Sequence, residues 1–319
     1  MPHDRPRVLI TESIHSSGVE RLARHVDVIY LPDRPTESVD QHLPDIDGIV
    51  VRTAPLTAAR LERAARLRVI AKHGVGVDNV DVAAARARGI TITFTPGANA
   101  QAVAEHALTL MLVLARRVAL VSRMLRQGEF DRARQMAVAE DLHGKTLGLV
   151  GLGNIGARLA AICRQGLAMR VLAFDPYVTA ARTAELGVEH VTELPPLLQQ
   201  SDVISVHAPL TPETRGIIGA TALAQMKTTA ILINCARGGL VDEGALLEVL
   251  RANRIAGAGL DTFSTEPLPT NHPLLQLENV VVTPHVAGAS QEAFKAMAET
   301  LADDVLHVLR GESPVHPLR

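Results

Sequence analysis

The sequence contains very few aromatic residues: 0 tryptophans, 2 tyrosines and 5 phenylalanines, which make up 2% of 319 residues. This scarcity argues against a carbohydrate cleft walled by aromatic rings, against a surface on which nucleic-acid bases stack, and against a bilayer protein with aromatic belts. The core must therefore consist mainly of aliphatic side chains, which dominate the 47% hydrophobic fraction.

Cysteine, excess charge and long apolar runs are also scarce. The 2 cysteines, Cys163 and Cys235, do not form a Cys-x-x-Cys pair, so we expect no disulfide scaffold and no metal site. The 32 Lys and Arg residues are balanced by 34 Asp and Glu residues, which leaves no basic excess for nucleic acid. The longest apolar run, residues 107–115, is far below the roughly 20 residues that span a bilayer. No signal-peptide segment begins the chain, and we expect a cytoplasmic protein without membrane or nucleic-acid partners.

Short β-branched runs alternate with segments of helical period, a pattern typical of βαβ units. A length of 319 residues favours two domains, at about 150 residues each. The strands of the first series are predicted at residues 7–10, 26–31, 48–52, 69–73 and 90–94, with helices at 17–24, 57–65 and 82–88. Those of the second series are predicted at residues 146–150, 170–174, 202–206, 230–234, 257–260 and 280–283, followed by a helix over 290–309.

Between the two series, residues 100–127 contain few helix breakers and predict a single helix of about seven turns. The two series predict an α/β protein with two doubly wound parallel-sheet lobes and a cleft between them. Ligands of such sheets bind at the carboxyl ends of the strands, so we expect functional residues in the loops that follow strands.

A glycine-rich loop follows the first strand of the second series and precedes a helix predicted over residues 157–163. Its spacing fits the dinucleotide-binding pattern G-x-G-x-x-G. In that pattern Gly151 makes the tight turn, Gly153 lets a pyrophosphate approach the backbone, and Gly156 lets the helix pack closely on the strand. The N–H groups at the helix N-terminus would then hold the phosphates. The loop reads Gly151-Leu152-Gly153-Asn154-Ile155-Gly156.

Asp175 follows the next strand, where a carboxylate accepts hydrogen bonds from the adenosine ribose. Because a carboxylate repels a 2′-phosphate, this residue favours NAD over NADP. Two alternatives stay open: an ordinary turn formed by Asp175 and Pro176, and NADP binding helped by Arg182.

Three further polar residues follow predicted strands of the second series: Arg237, Glu266 and His285. A guanidinium binds a carboxylate through two parallel hydrogen bonds and polarises a neighbouring carbonyl. An imidazole gives and takes a proton near pH 7, and a carboxylate beside it stabilises the imidazolium. Each residue alone is more often a surface or turn residue, but together they suit the reduction of a 2-oxo acid.

At these residues the sequence resembles the D-isomer-specific 2-hydroxyacid dehydrogenases, over nearly the whole chain. The resemblance implies a Rossmann NAD-binding domain over residues 99–288 and a flavodoxin-like substrate domain over residues 1–98 with 289–319. It also implies an enzyme that transfers a hydride between nicotinamide and C2 of a small D-2-hydroxy acid or 2-oxo acid, such as hydroxypyruvate, glyoxylate or glycerate. The motifs that carry the resemblance are residues 72–81 (KHGVGVDNVD), 143–148 (HGKTLG) with the glycine loop, 206–211 (VHAPLT), 234–239 (NCARGG) and 283–285 (TPH).

The resemblance assigns individual roles as well. It implies Arg237 as the substrate clamp, Glu266 as the partner of the histidine, and His285 as the acid and base. The implied substrate-binding residues are Arg52, His73, Gly74, Val75 and Gly76. The implied cofactor residues are Gly151, Gly153, Asn154, Ile155, Gly156, Asp175, Pro176, His207, Ala208, Pro209, Cys235, Ala236, Asp261 and Gly288, with Asp261 at the nicotinamide carboxamide and residues 207–209 at the adenine.

Similar enzymes are homodimers, with the long helix that begins near Ala100 in the interface. Some relatives carry a tryptophan just after this helix, where Phe130 is the candidate replacement here. Phosphoglycerate dehydrogenases of the family often carry a lysine in the loop that corresponds to residues 52–57, and its absence argues against phosphate recognition. The chain ends at Arg319, and we expect no C-terminal regulatory domain of the kind found in the longer phosphoglycerate dehydrogenases.

Two other functions stay open. D-3-phosphoglycerate dehydrogenase activity requires that Arg52 and a neighbour bind the phosphate. An NAD(H)-sensing, corepressor-like binding protein would use the same fold without turnover. The complete set of Arg237, Glu266 and His285 favours the enzyme.

Overall fold

The structure is a computed structural model that describes residues 5–318. It contains short parallel strands joined by helices. The strands, numbered in chain order, are β1 Arg7–Ile10, β2 Asp27–Tyr30, β3 Gly48–Val51, β4 Val69–Lys72, β5 Thr91–Thr93, β6 Thr146–Val150, β7 Arg170–Phe174, β8 Glu189–His190, β9 Val203–Val206, β10 Ile231–Asn234, β11 Gly257–Leu260 and β12 Val280–Val282.

The helices follow the same numbering, and short 3-10 turns supplement them. The helices are α1 Ser16–Ala23, α2 Val39–His42, α3 Ala58–Arg63, α4 Val82–Ala87, α5 Ala100–Ala115, α6 Val118–Arg126, α7 Phe130–Met136, α8 Asn154–Leu167, α9 Ala180–Glu185, α10 Leu194–Gln200, α11 Ala220–Leu223, α12 Glu243–Arg251 and α13 Gln291–Arg310. The 3-10 turns are Leu31–Asp33, Leu43–Asp45, Gly238–Leu240 and Pro273–Gln276.

The chain forms two compact units. Unit 1 comprises Met1–Asn99 and Ala289–Arg319, and unit 2 comprises Ala100–Gly288. The 5-stranded parallel sheet of unit 1 has the order β2-β1-β3-β4-β5, which is the flavodoxin-like order with a switch point between β1 and β3. Helix α13 packs against this sheet and against α1, and Ser290 caps its N-terminus by accepting the N–H of Ala293.

The 7-stranded parallel sheet of unit 2 has the order β12-β11-β10-β9-β6-β7-β8. Numbered within the unit, this is the Rossmann order 3-2-1-4-5-6 with one more strand at the far edge. Helices α5 and α8 pack on one face, and α10, α11 and α12 pack on the other. The prediction of two doubly wound parallel sheets in an α/β protein is confirmed.

Aliphatic side chains fill the core of both units, as the composition predicts. Strands β3, β4, β9 and β10 are buried along their whole length, which is typical of parallel strands covered by helices on both faces. Among the described residues, Phe263 is the one aromatic side chain of the buried core. No helix within residues 5–318 has both the length and the apolar character needed to cross a membrane.

The prediction of one continuous helix over residues 100–127 is wrong. Helix α5 ends at Ala115, and α6 begins at Val118 after Arg117 adopts a left-handed backbone with φ 53°. The side chain of Arg117 donates to the carbonyl of Met136, which follows the break. The apolar stripe of α5 packs on β10 and β11 as far as Ala115, and beyond it α6 buries only Met124. The helix therefore ends where its contact with the sheet ends, without a glycine or proline to signal it.

Candidate active site

The carboxyl ends of β10, β11 and β12 lie side by side because these parallel strands are neighbours in the sheet of unit 2. Arg237 follows β10, Glu266 follows β11 and His285 follows β12. The structure therefore brings the three predicted catalytic residues to one edge of one sheet.

His285 and Glu266 are in direct contact at this edge. The imidazole Nδ1 of His285 lies 2.8 Å from Oε2 of Glu266, and both side chains are partly exposed. The other carboxylate oxygen, Oε1, accepts the backbone N–H of Phe263 at 3.0 Å, which fixes the direction of the carboxylate. Because Nδ1 is engaged, the outer nitrogen of the ring, Nε2, is the atom that can exchange a proton with a ligand.

The turn that carries His285 is held by a buried carboxylate, that of Asp261. Its Oδ1 accepts the backbone N–H of Val286 at 2.9 Å, and its Oδ2 accepts that of Ala287 at 2.8 Å. Thr283 adds a hydroxyl hydrogen bond of 2.6 Å to Oδ1 and itself lies 2.9 Å from Nε2 of His106. Asp261 thus ties the loop after β11 to the loop after β12.

Sequence reasoning missed Thr283 and His106 as supporting residues. Thr283 lies in the recognised motif beside His285, and this proximity is the signal that could have pointed to it. His106 lies on α5, far away in the sequence, and no local pattern indicates its contact. Asp261 was expected at the nicotinamide carboxamide; the structure shows it fully buried and bound to the backbone of its own unit.

The loop that carries Arg237 is shaped by Asn234, whose buried amide accepts the N–H of Ala236 at 3.0 Å and donates to the carbonyl of Arg237 at 2.9 Å. The Arg237 guanidinium donates to the carbonyl of Ala236 at 2.7 Å. Cys235 is buried beside this turn, and burial, followed by the charge of Asp261, raises the pKa of its thiol. The thiol therefore stays protonated near pH 7 and adds no negative charge beside the turn that carries Arg237.

The glycine loop connects β6 to α8 and fits a bound dinucleotide. Gly151 has φ 99°, and a Cβ there would lie 2.8 Å from the backbone nitrogen of Ala208, so the residues after β9 pack on the loop. A Cβ on Gly156 would lie 2.5 Å from the carbonyl oxygen of Gly151, while one on Gly153 would meet no atom within 4 Å. Gly153 is the N-cap residue of α8 and provides no side-chain hydrogen bond to the first N–H groups of this helix. This is the space and the hydrogen-bonding capacity that a pyrophosphate requires.

Asp175, at the end of β7, is tied to the glycine loop. Its Oδ2 accepts the N–H of Leu152 at 2.8 Å, and its Oδ1 accepts the N–H of Tyr177 at 2.9 Å. Arg182 points into solvent on α9 and pairs with Glu185 at 3.0 Å. The remaining predicted cofactor residues, Asn154, Ile155, Pro176, His207, Pro209 and Gly288, all lie in unit 2, at the start of α8 or in loops after strands.

The predicted substrate-binding residues lie in unit 1, after β3 and β4. The N–H of His73 donates to the carbonyl of Val51 at 2.9 Å, and that of Gly74 donates to Oγ1 of Thr95 at 3.1 Å. Within residues 5–318 the N–H groups of Val75 and Gly76 have no such acceptor. Of the four N–H groups of residues 73–76 that were expected to bind a substrate, those of Val75 and Gly76 therefore stay candidates.

Arg52, after β3, is held by groups that the sequence did not indicate. Its guanidinium donates to the carbonyl of Ser13 at 3.2 Å, and its central carbon lies 4.7 Å from the ring centroid of Phe294. The ring of His73 contacts the same phenylalanine edge-on at 5.2 Å. Burial, followed by the charge of Arg52, lowers the pKa of His73 to about 4, so this imidazole is neutral near pH 7.

The order of strands in unit 2, the glycine loop and the polar edge define a dinucleotide-dependent oxidoreductase. No group of three or more His, Cys, Asp or Glu side chains within the described residues is arranged to hold a metal ion.

Comparison with known proteins identifies the family. Residues 108–287 match the family model of the D-isomer specific 2-hydroxyacid dehydrogenase, NAD binding domain. The chain is 42% identical over 316 residues to a glyoxylate reductase of Korarchaeum cryptofilum, covering 97% of this chain and 95% of that protein. It is 40% identical over 307 residues to a D-3-phosphoglycerate dehydrogenase of Methanocaldococcus jannaschii, covering 96% of this chain but 58% of that protein.

A solved structure agrees with these relatives. The NADPH-dependent glyoxylate/hydroxypyruvate reductase of Sinorhizobium meliloti superposes with a TM-score of 0.85 at 31% identity, covering 98% of each chain. The protein belongs to the D-isomer-specific 2-hydroxyacid dehydrogenase family, and it is an oxidoreductase with an NAD-binding domain of that family.

Proposed function

We propose that the protein reduces small, unphosphorylated 2-oxo acids with NADH and, in reverse, oxidises the matching D-2-hydroxy acids. The contact between His285 and Glu266, on the same strand edge as Arg237, carries this proposal. When bound, the nicotinamide supplies the hydride to C2 of the oxo acid or accepts it in the reverse direction.

His285 acts as the acid and base through Nε2. In reduction it donates a proton to the C2 oxygen, and in oxidation it removes the hydroxyl proton. Such positioned proton transfer contributes about 10²–10⁴-fold to the rate. Glu266 accepts a hydrogen bond from Nδ1–H of His285, with Oε2 and Nδ1 2.8 Å apart. Its negative charge stabilises the protonated ring.

Arg237 binds the C1 carboxylate of the substrate and polarises the C2 oxygen on which negative charge develops. The N–H groups of Val75 and Gly76 and the guanidinium of Arg52 complete the proposed substrate contacts. Arg52 is already fastened to Ser13 and Phe294, so it acts as a fixed cation.

NAD is the proposed cofactor because Asp175 places a carboxylate beside the glycine loop, where the adenosine ribose binds. The NADPH-dependent reductase of Sinorhizobium meliloti makes the other cofactor the alternative to be tested. Arg182, which pairs with Glu185, would have to leave that pair to meet a 2′-phosphate.

Glyoxylate and hydroxypyruvate are the proposed substrates, in line with the glyoxylate reductase of Korarchaeum cryptofilum, whose length the chain nearly matches. D-3-phosphoglycerate is the second candidate, supported by the identity to the Methanocaldococcus enzyme and by Arg52. A homodimer and a cytoplasmic location stay predictions; exposed apolar side chains on α5, α6 and α7 support the former, namely Leu112, Val118, Leu125 and Phe130.

A screen of 2-oxo acids tests the proposal, with the loss of NADH or NADPH absorbance as the readout. We expect turnover of glyoxylate and hydroxypyruvate, and a lower KM for NADH than for NADPH. Tight NADH binding without turnover of any 2-oxo acid would contradict the proposal and favour the NAD(H)-sensing, corepressor-like protein.

A further inference from the structure

The proposed acid and base, His285, has an unfavourable backbone conformation. Its φ is 55°, in the left-handed region that few residues other than glycine adopt. Such a conformation persists only where the surrounding contacts hold it in place. The N–H of His285 donates to the carbonyl of Asp261 at 2.7 Å, and the next two N–H groups, those of Val286 and Ala287, donate to the carboxylate of the same aspartate. Asp261 therefore holds three successive N–H groups of this turn.

The carboxylate of Asp261 is itself held from the side of α5. It is fully buried, and its Oδ1 accepts the hydroxyl of Thr283 at 2.6 Å. The oxygen of that hydroxyl lies 2.9 Å from Nε2 of His106. A hydroxyl has one proton to donate. Because Thr283 gives its proton to Asp261, the contact with His106 requires Nε2–H of the imidazole to donate and Thr283 to accept.

A directed chain of hydrogen bonds thus runs from His106 through Thr283 to Asp261 and on to the turn of His285. All of these residues lie in unit 2. The imidazole is the end of the chain nearest to solvent, since its side chain is 20% exposed and that of Asp261 is fully buried. The backbone of His106 is fixed because α5 packs on β10, β11 and β12. The next buried residues of this helix are Ala107, Leu110 and Met111.

The position of the turn decides where the ring of His285 lies. Its Nδ1 has to stay 2.8 Å from Glu266, and its Nε2 has to come within hydrogen-bond reach of the reacting oxygen. A misplacement of about 1 Å, caused far from the chemistry, can cost about 10²-fold in rate. A contact that fixes this turn should therefore affect the rate of proton transfer more than the affinity for substrate or cofactor.

We propose that His106 is a positioning residue of the reaction: by donating to Thr283 it directs the hydroxyl towards Asp261, which holds His285 in its left-handed turn. The inference rests on the proposed function, because it concerns the proton transfer of that reaction.

Kinetics of two variants of His106 give the first test. His106→Leu removes the donor, whereas His106→Gln keeps an N–H donor near the position of Nε2. We expect kcat for hydroxypyruvate to fall about tenfold or more in His106→Leu, with the KM values for NADH and hydroxypyruvate changed less than about threefold. In His106→Gln we expect most of kcat to return. A residue that only stabilises the fold would show neither the restriction to kcat nor the rescue by an amide.

The next link of the chain gives the second test. Thr283→Val removes the hydroxyl and should also lower kcat, whereas Thr228→Val, the same change at an exposed position of unit 2, should behave like the wild type. Substitutions that break one chain are not additive. We therefore expect the double variant of His106→Leu and Thr283→Val to be no slower than Thr283→Val alone.

Nuclear magnetic resonance of protein labelled with ¹⁵N-histidine gives a test that needs no turnover. In the wild type we expect a proton bonded to Nε2 of His106. Thr283→Val should shift the ring signals of His106 and His285 and leave those of His25, an exposed residue of unit 1, unchanged. If His106→Leu does not fold, these spectra and the kinetics of Thr283→Val decide the role of His106.

Any of four results would overturn the inference: no proton on Nε2 of His106, an unchanged signal of His285 in Thr283→Val, wild-type kcat in His106→Leu, or a double variant much slower than Thr283→Val. Failure of the proposed function gives a different result, namely no turnover of any 2-oxo acid by the wild type. The spectra still decide whether the chain from His106 holds His285 in that case.

Discussion

Gly238 passes so close to Phe263 that a Cβ on the glycine would lie 1.9 Å from the carbonyl carbon of Phe263. This approach joins the loop of Arg237 to the loop that leads to Glu266. The position of Arg237 relative to Glu266 therefore depends on residue 238 being a glycine, which has no side chain.

Replacing Gly238 by alanine should lower both the activity and the stability of the protein. We expect Gly238→Ala to cost about 1–3 kcal/mol or more of stability, because the clash is with backbone atoms that must shift, and to reduce kcat/KM. Gly166→Ala is the control, since a Cβ on this exposed glycine of α8 meets no atom within 4 Å. Calorimetric melting of the two variants is the measurement; equal melting temperatures would count against the close contact.

The contact between Glu266 and His285 should appear in the rate of reduction. Glu266→Gln removes the charge that faces Nδ1 of His285, so it should lower kcat with a smaller change in the KM for hydroxypyruvate. Glutamine keeps an oxygen that can accept the N–H of Phe263, so the loop is expected to stay in place. An unchanged kcat would show that the two side chains are not coupled.

Asp175 should control the choice between NAD and NADP. Asp175→Asn removes the charge that repels a 2′-phosphate and keeps an oxygen for the N–H of Leu152, so we expect a lower KM for NADPH with a modest rise for NADH. Asp175→Ala also loses that hydrogen bond and should raise the KM for NADH further. A wild type that prefers NADPH, or an asparagine variant with unchanged preference, would contradict this role.

Acid should destabilise both units through two histidines that are neutral in the folded state. Burial lowers the pKa of His73 to about 4, with a further contribution from Arg52, and burial lowers the pKa of His207 to about 4. Both values lie below the unfolded value of about 6.5, so their stabilisation is complete above that pH and is lost as the pH falls towards 4.

For His73 the loss is on the order of 3 kcal/mol. His73→Asn should therefore lose less stability between pH 7 and pH 4 than the wild type, whereas His25→Asn, at an exposed position, should behave like the wild type. The measurement is the melting temperature of the three proteins between pH 7 and pH 4. The same fall in melting temperature for all three would contradict the role of His73.

The sequence predicts the fold in detail wherever apolar runs face a core. The strands that begin at Arg7, Thr146, Arg170 and Gly257 have the predicted bounds, and the other predicted strands differ by one residue at one or both ends. Strand β8, Glu189–His190, was missed because two polar residues at a sheet edge carry no hydrophobic pattern. The break at Arg117 was missed because it depends on where the sheet beneath α5 ends.

The candidate site also contains residues that the sequence predicts and contacts that it does not. The rule that ligands meet parallel sheets at the carboxyl ends of strands singles out Arg237, Glu266, His285 and Asp175 in unit 2, and Arg52 in unit 1, and the structure places each of them directly after a strand of its own sheet. The supporting contacts were not predicted. Glu12 bonds to residues about 40 positions away, and His106 reaches Thr283 from a distant helix. Such pairs are set by tertiary packing, for which one sequence offers no local signal.

The proposed reaction at the strand edge of Arg237, Glu266 and His285 is the reduction of a 2-oxo acid to a D-2-hydroxy acid, with His285 as the proton donor. The most direct measurement is the chirality of the glycerate formed from hydroxypyruvate and NADH, by wild type and His285→Ala side by side. We predict D-glycerate in an amount equal to the NADH consumed, and about 10²–10⁴-fold slower formation by His285→Ala with NADH binding retained. L-glycerate, no glycerate, or an unimpaired His285→Ala variant would contradict the account.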